Sequence, residues 1–389
     1  MSALLFLYRN GEAVKVQQSV SVNRHPGFLP RARLQALLDV LQQSGYQILG
    51  PAVEEGAIQF KQIENADQLV TGLTNLQKPG HYRLQQTESQ RLFDWNHGPQ
   101  GLKPLCFAPR EVLWVEQQDP LAFKTSQPDV RPTAVLGVRA CDLSALAIQD
   151  RHFLHADAPD PHYRQRREQL LLIGIDCAHS AESCFCHSTG DGPAVKQGYD
   201  IGLSELDEGF LLWHGNEKGK ALLEKLSLES AEARQLQRMT AQTDQAAGEQ
   251  TRHLAKSEDL IRLYQRLQHT HWSDVAERCL GCGNCTAVCP TCFCYDVHHE
   301  VSLDGKSAQN VRQWDSCFSA NHSSMGHFKV RGDILSRYRQ WLTHKLAGWQ
   351  QQQGRIGCTG CGRCITWCPV GIDLIKETDT ILWEGSLDE

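Results

Sequence analysis

The chain has 389 residues, and its 39 Lys and Arg against 45 Asp and Glu give a formal net charge of -6. This acidic balance provides no basic field for a phosphate backbone, so a nucleic-acid partner is disfavoured. The longest apolar runs, such as Leu170–Ile175, are far shorter than the roughly 18 residues of a membrane span. No cationic stretch precedes the short apolar run at residues 3–7, so we expect a cytoplasmic protein.

The first part of the chain alternates helical and strand-like patterns. Leucines at i, i+3, i+4 and i+7 spacing predict an amphipathic helix over residues 31–44. Short aliphatic runs at 111–115, 134–138 and 170–175 are typical of strands buried on both faces. Asp142 is placed to cap a helix after the second run. Together these features predict an α/β domain with a mainly parallel sheet.

The 16 cysteines are too few and the chain too long for a disulfide scaffold. Ten of them fall into two short windows, 279–294 and 358–368, which indicates metal or redox chemistry. Each window contains the pattern C-x2-C-x2-C-x3-C-P, formed by Cys279, Cys282, Cys285 and Cys289 in the first and by Cys358, Cys361, Cys364 and Cys368 in the second.

This spacing suits a pair of [4Fe-4S] clusters. Three thiolates two residues apart can each meet one iron of a cubane, and the fourth ligand comes from the other window. We therefore predict cluster 1 on Cys279, Cys282, Cys285 and Cys368, and cluster 2 on Cys358, Cys361, Cys364 and Cys289. Two structural zinc sites are the alternative, but zinc would not need the third cysteine or the repeated proline.

A third [4Fe-4S] cluster is a further hypothesis. Cys141 and Cys177 each follow a predicted strand, and Cys184 and Cys186 come close behind. The carboxyl ends of parallel strands are where α/β sheets hold ligands. The alternative, equally open, is that Cys141 and Cys177 are small buried apolar residues and that 184–186 is a loop.

Four cysteines are left with less certain roles. Cys292 and Cys294 follow the first window closely, and Cys317 could join them. We favour tuning of the nearby cluster over ligation together with Cys184 and Cys186. Cys106 has the character of an ordinary buried thiol.

The domain limits follow from composition and from the cysteine windows. We predict an α/β domain over 1–242, a polar linker over 243–255, and a mainly helical 4Fe-4S dicluster ferredoxin-like domain over 256–389. Basic residues between 329 and 345 are predicted to form a docking face or a solvated helix side. The chain has no G-x-G-x-x-G motif after a predicted strand and no P-loop, so we predict no separate catalytic site and no NAD(P) site.

Several motifs in their order along the chain resemble the beta subunit of sulfhydrogenases, which are NADP-linked [NiFe] hydrogenases of the hydrogenase/sulfur reductase type. The similarity covers roughly residues 90 to 375, extends to the component of anaerobic sulfite reductase that shares this layout, and shows one departure, Ala140, where proline is frequent. The motifs are G-V-R-A-C-D at 137–142, I-D-C at 175–177, C-F-C at 184–186, G-Y-D at 198–200, C-P-T-C-F-C at 289–294, W-D-S-C at 314–317 and C-T-G-C-G-R-C at 358–364.

The resemblance implies an iron–sulfur electron-transfer subunit without catalytic residues of its own. Its expected partners are a flavoprotein subunit that binds FAD and NAD(P), and the small and large subunits of a [NiFe] hydrogenase. If the chain instead belongs to an anaerobic sulfite reductase, the partner is a siroheme sulfite reductase subunit. Two further alternatives stay open: a heterodisulfide-reductase-like complex and an iron–sulfur redox sensor or regulator.

Overall fold

The structure, a computed structural model, describes residues 6–9, 12–15, 25–118, 120–155 and 157–384. Part of the apolar run at residues 3–7 lies outside these ranges. None of the helices in the described ranges has the length and apolar character needed to cross a membrane.

The strands form one large sheet, a second four-stranded sheet and three hairpins of two strands. In chain order they are β1 Phe6–Arg9, β2 Glu12–Lys15, β3 Gly27–Pro30, β4 Gln47–Glu54, β5 Ala57–Ile63, β6 Leu73–Lys78, β7 His81–Gln86, β8 Arg110–Gln118, β9 Leu121–Thr125, β10 Thr133–Arg139, β11 Leu170–Ile175, β12 Ile201–Glu205, β13 Gly209–His214, β14 Glu229–Ser230, β15 Tyr295–Val301, β16 Ser307–Trp314, β17 Ser324–Met325 and β18 Phe328–Lys329.

The helices surround these sheets and dominate the last third of the described chain. They are α1 Leu34–Gln43, α2 Lys103–Cys106, α3 Ala140–Leu154, α4 Pro161–Glu168, α5 Cys186–Thr189, α6 Glu217–Leu223, α7 Ala233–Gly248, α8 Ser257–Leu260, α9 His271–Arg278, α10 Asn284–Ala287, α11 Ile334–Thr343, α12 Trp349–Gln353, α13 Arg363–Thr366 and α14 Leu374–Trp383. Short 3-10 helices cover Arg31–Arg33, Ala66–Gln68 and Ile261–Gln265, and a π-helical turn, His344–Gly348, follows α11.

The large sheet has the strand order β14-β3-β13-β12-β11-β10-β4-β5. Its centre is parallel as predicted, because β10 pairs in parallel with both β4 and β11, and β11 with β12. The outer pairings are antiparallel, since short turns join β4 to β5 and β12 to β13. The sheet as a whole is therefore mixed rather than mainly parallel, because the aliphatic runs had revealed only central strands.

Both faces of the central strands are covered by helices, which explains why β10 and β11 are buried along their whole length. Side chains alternate between the faces of a strand. Leu136 packs in the same apolar cluster as Leu37 of α1, whereas Val135 packs in a second cluster with Leu146 of α3. Helix α1 confirms the helix predicted over 31–44.

The second sheet joins distant parts of the chain, in the order β15-β16-β8-β9. β8 pairs with β16, so the segment after the first cysteine window is hydrogen-bonded to the segment before β10. β8 had been expected among the parallel strands, and the structure places it in this antiparallel sheet instead. Helix α7 extends through the first residues of the linker predicted over 243–255.

A buried ion pair connects the second cysteine window to the large sheet. Arg363, the first residue of α13, donates to both carboxylate oxygens of Asp142, at 2.7 and 2.8 Å, and its Nε donates to the Gly98 carbonyl at 2.9 Å. The two paired side chains are 1% exposed. Asp142 is thus not the predicted helix cap, since α3 already begins at Ala140.

We expect Asp142→Asn to lower the free energy of unfolding by about 3–5 kcal/mol, because it leaves a buried guanidinium without its counter-charge. Asp207→Asn is the matched control. Asp207 pairs with Arg91 and Arg238 at the surface and is 70% exposed, so its loss should cost less than about 1 kcal/mol. Anaerobic denaturant titration followed by circular dichroism measures both, and equal losses would contradict the role assigned to the ion pair.

Candidate metal centres

The first cysteine window turns tightly between two helices. Helix α9 ends at Arg278, directly before Cys279, and Gly283 precedes α10. Gly281 and Gly283 have φ of 61° and 72°, a left-handed conformation that glycine adopts at little cost. The Gly281 amide nitrogen lies 3.4 Å from the Cys279 sulfur and donates to it.

The second window repeats this local structure. Gly360 and Gly362 have φ of 65° and 73°, and Gly362 precedes α13. The Gly360 amide donates to the Cys358 sulfur at 3.4 Å. The sequence repeat is therefore also a structural repeat, in which a backbone amide points at the first sulfur of each window.

The cysteines predicted for cluster 1 come together. Cys368, from the second window, lines one cavity of about 470 Å³ with Cys279, Cys282 and Cys285 of the first. Cys364, predicted for cluster 2, lies in the same wall. The Cys368 sulfur also accepts from the Ile372 amide at 3.3 Å.

The walls of this cavity fit a bound group with acceptor atoms. Tyr338 and Trp341 of α11 line it, and both are almost completely buried. Tyr338 Oη and Trp341 Nε1 have no hydrogen-bond partner among the described residues. Buried donors are normally satisfied, and the sulfur atoms of an iron–sulfur cluster would accept from both.

The cysteines predicted for cluster 2 also lie near one another. Cys289, Cys358 and Cys361 are buried. Burial raises the pKa of the Cys364 thiol, and the neighbouring Cys358, Cys361 and Cys289 raise it further. Iron binds thiolates, so loading of such a buried set must release protons.

A buried lysine accompanies this second set. Lys345 lies in the π-helical turn and is 6% exposed. Its Nζ donates to the Cys289 sulfur at 3.4 Å, to Thr291 Oγ1 at 2.9 Å and to the Gly357 carbonyl at 3.0 Å. Burial opposes its charge, but Cys289 and Cys292 raise its pKa. The interpretation of Lys345 as part of a docking face or solvated helix side is therefore wrong.

The four cysteines of the possible third cluster gather at the carboxyl ends of β10 and β11. Cys141 lies in the first turn of α3 and Cys186 begins α5, and both pack against Cys361 of the second window. Burial raises the pKa of the Cys184 thiol to about 12, and Cys177 raises it further.

Polar side chains approach three of these sulfurs. Arg139 Nη1 lies 3.7 Å from the Cys177 sulfur, and Gln250 Nε2 lies 3.3 Å from that of Cys186. The His97 ring nitrogen lies 4.0 Å from the Cys184 sulfur. Sequence reasoning did not find these donors, because each reaches its sulfur from a distant segment.

The remaining cysteines divide into a cluster and a lone thiol. Cys292 hydrogen-bonds with Cys289, and Cys294 hydrogen-bonds with Cys317 and His322. Cys106 is completely buried, and burial raises its pKa to about 12.

Comparison with known proteins identifies the class. Residues 278–372 match the family described as 4Fe-4S dicluster domain. The chain is therefore an iron–sulfur protein with a C-terminal dicluster domain.

The comparison also finds a full-length relative. Over 340 residues the chain is 28% identical to sulfhydrogenase 2 subunit beta of Pyrococcus furiosus, and the alignment covers 86% of this chain and 92% of that protein. The resemblance to sulfhydrogenase beta subunits is confirmed. No solved structure matches the chain significantly.

Proposed function

We propose that this chain is the iron–sulfur subunit that passes single electrons between a flavoprotein subunit, which binds FAD and NAD(P), and the other redox centres of a cytoplasmic sulfhydrogenase-type complex. The observation that carries the proposal is the meeting of Cys368 with the first window in one cavity, in a chain related to a sulfhydrogenase beta subunit over most of its length.

In this proposal each window supplies three ligands to one cluster and one to the other. Cys279, Cys282, Cys285 and Cys368 hold cluster 1, and Cys358, Cys361, Cys364 and Cys289 hold cluster 2. When bound, each [4Fe-4S] cluster accepts and releases one electron at a potential set by burial and by hydrogen bonds to its sulfurs. The protein contributes these hydrogen bonds through Gly281, Gly360 and Lys345.

The two sets differ in their access to solvent, which suggests where electrons enter or leave. Cys282 is exposed, and its neighbour Leu280 is 63% exposed. Cys358 and Cys361 are buried. We infer that cluster 1 faces a partner subunit through the surface around Leu280, while cluster 2 relays electrons inside the chain.

A third [4Fe-4S] cluster on Cys141, Cys177, Cys184 and Cys186 extends this relay. Its support is the packing of Cys141 and Cys186 against Cys361, a ligand of cluster 2. A cluster there would be a direct neighbour of cluster 2. The relay would then run from the exposed first window to the edge of the large sheet.

Anaerobic purification of the native complex through a tag on this chain tests the proposed function. We expect nickel, iron and flavin to co-purify with further subunits, identified by mass spectrometry. Siroheme without nickel would move the chain to a sulfite reductase. Iron in a chain that purifies alone, without a flavoprotein or a hydrogenase subunit, would overturn the proposal.

We expect Lys345→Met to lower the midpoint potential of cluster 2, because it removes a buried positive charge and a donor to Cys289 Sγ. Lys345→Arg keeps the charge and should shift the potential less. Lys329→Met, at an exposed position, is the surface control. Redox titration monitored by EPR gives the potentials, and identical values for Lys345→Met and the unchanged protein would contradict this role.

The number of clusters is tested by iron analysis of the anaerobically reconstituted chain. Three clusters correspond to about twelve irons, and Cys184→Ser with Cys186→Ser should reduce this to about eight. Cys106→Ala is the control and should keep the full number, since its thiol belongs to none of the three sets. About eight irons in the unchanged chain, with no loss in the double variant, would restrict the relay to two clusters.

A further inference from the structure

A cysteine, a histidine and an aspartate form a chain of contacts outside the proposed cluster ligands. Cys294 immediately precedes β15, and Asp315 immediately follows β16. The Asp315 amide donates to the Cys294 carbonyl at 3.0 Å, which holds the two positions opposite each other. Asp315 Oδ2 lies 2.6 Å from His322 Nδ1, and the His322 side chain hydrogen-bonds the Cys294 thiol.

This order of groups is that of an activated thiol, in which a carboxylate orients an imidazole and the imidazole stabilises a thiolate. Hydrogen bonds from Cys317 and then from His322 lower the pKa of Cys294 to about 4, although burial opposes this. The Cys294 thiolate and then Asp315 raise the pKa of His322 to about 9. At neutral pH the pair is therefore a thiolate and an imidazolium.

A second thiol lies within reach of the first. The Cys317 thiol hydrogen-bonds Cys294, which raises the pKa of Cys317 and keeps it protonated. Two such thiols, one ionised and one protonated, are the arrangement of an attacking and a resolving cysteine. Both are partly exposed, so a reagent in solution can approach them.

An open, polar cavity of about 620 Å³ leads to this pair and is lined by Cys294, Cys292, Asp315, Ser319 and Lys103. Lys103 donates to the Ala287 carbonyl at 2.8 Å, and its Nζ lies 3.9 Å from the centre of the Trp314 ring. A fixed ammonium in a cavity favours an anionic ligand.

We propose that Cys294 and Cys317 form a redox-active dithiol that reduces the S–S bond of a small anionic disulfide. The inference rests on the proposed function, because its electrons come from the [4Fe-4S] clusters. Cys317 interacts electrostatically with Cys285 of cluster 1, and Cys292 does so with both Cys317 and Cys289 of cluster 2. The dithiol therefore lies beside both proposed clusters.

The reaction balances in two stages. The Cys294 thiolate attacks one sulfur of the disulfide, forms a mixed disulfide and releases the other half as a thiolate. The Cys317 sulfur then attacks Cys294, closing the Cys294–Cys317 disulfide, and its proton leaves with the second half as a thiol. Two single electrons from the clusters and one proton restore the Cys294 thiolate and the Cys317 thiol.

Cys292, Cys294, Cys317 and His322 are also residue types that bind metal. In the described ranges of the chain, no three His, Cys, Asp or Glu side chains are arranged around a position for a single metal ion. The experiment below therefore includes metal analysis, so that a ligand role for Cys294 is detected directly.

The first measurement traps the mixed disulfide and does not depend on electron transfer. The anaerobic full-length holoprotein is treated with 5,5′-dithiobis(2-nitrobenzoic acid), a small anionic disulfide. We expect a Cys294–Cys317 disulfide in the unchanged protein and an aryl mixed disulfide on Cys294 in Cys317→Ser, both mapped by mass spectrometry. His322→Asn should slow the reaction of Cys294 by about tenfold or more.

Failure to modify Cys294 in Cys317→Ser would overturn the proposal. So would loss of zinc or iron from Cys294→Ser relative to the unchanged protein, since the thiol would then be a metal ligand. Cys106→Ala is the matched control and should behave as the unchanged protein.

The second measurement tests the supply of electrons. The clusters are photoreduced, the reductant is removed, and the disulfide is added while EPR follows cluster reoxidation. We expect reoxidation to be at least about tenfold slower in Cys294→Ser and Cys317→Ser than in Cys106→Ala. Equal rates in all variants would refute the dithiol route. Absence of any reducible cluster, with trapping on Cys294 intact, would instead refute the proposed function.

Discussion

The guanidinium of Arg363 lies between two cysteines of the second window and forms its ion pair with Asp142 in a site closed to solvent. Asp142 is the neighbour of Cys141 at the carboxyl end of β10, so this one pair fixes the second window against the edge of the large sheet. Removing either partner would leave a buried charge uncompensated, which costs more than the intact pair contributes. The contact of Cys361 with Cys141 and Cys186 depends on this arrangement.

The sulfurs follow one another through the molecule as a consequence. Cys364 shares a cavity wall with the first window, and Cys361, three residues earlier, contacts the cysteines at the sheet edge. The short helix α13 thus presents sulfurs to both neighbouring groups. A relay of single electrons needs such adjacency but no motion, because the potentials of the clusters are set by burial and by hydrogen bonds from fixed backbone and side-chain donors.

The parts of the site that could be predicted from sequence are those encoded in short segments. The two windows were recognisable because their spacing, glycines and prolines are local, and the central strands at 134–138 and 170–175 have continuous apolar runs. The mixed sheet was not recognisable, since the edge strands are short and irregular in pattern. Lys345 looked like a solvated residue because its contact with Cys289 depends on how the π-helical turn packs, and the contact of Cys294 with His322 requires the pairing of β15 with β16.

The distribution of charge links these observations to folding. The chain is acidic overall, yet Arg139, Arg363, Lys345 and Lys103 are all less than 10% exposed, and each lies beside cysteines. Burying a cation is costly unless a counter-charge accompanies it. Asp142 serves Arg363, but the hydrogen-bond acceptors of Lys103 are two carbonyls and those of Lys345 are a carbonyl, a hydroxyl and a sulfur. Anionic thiolates that carry iron would supply the missing negative charge, so cluster loading and the final packing of this interior should be linked equilibria.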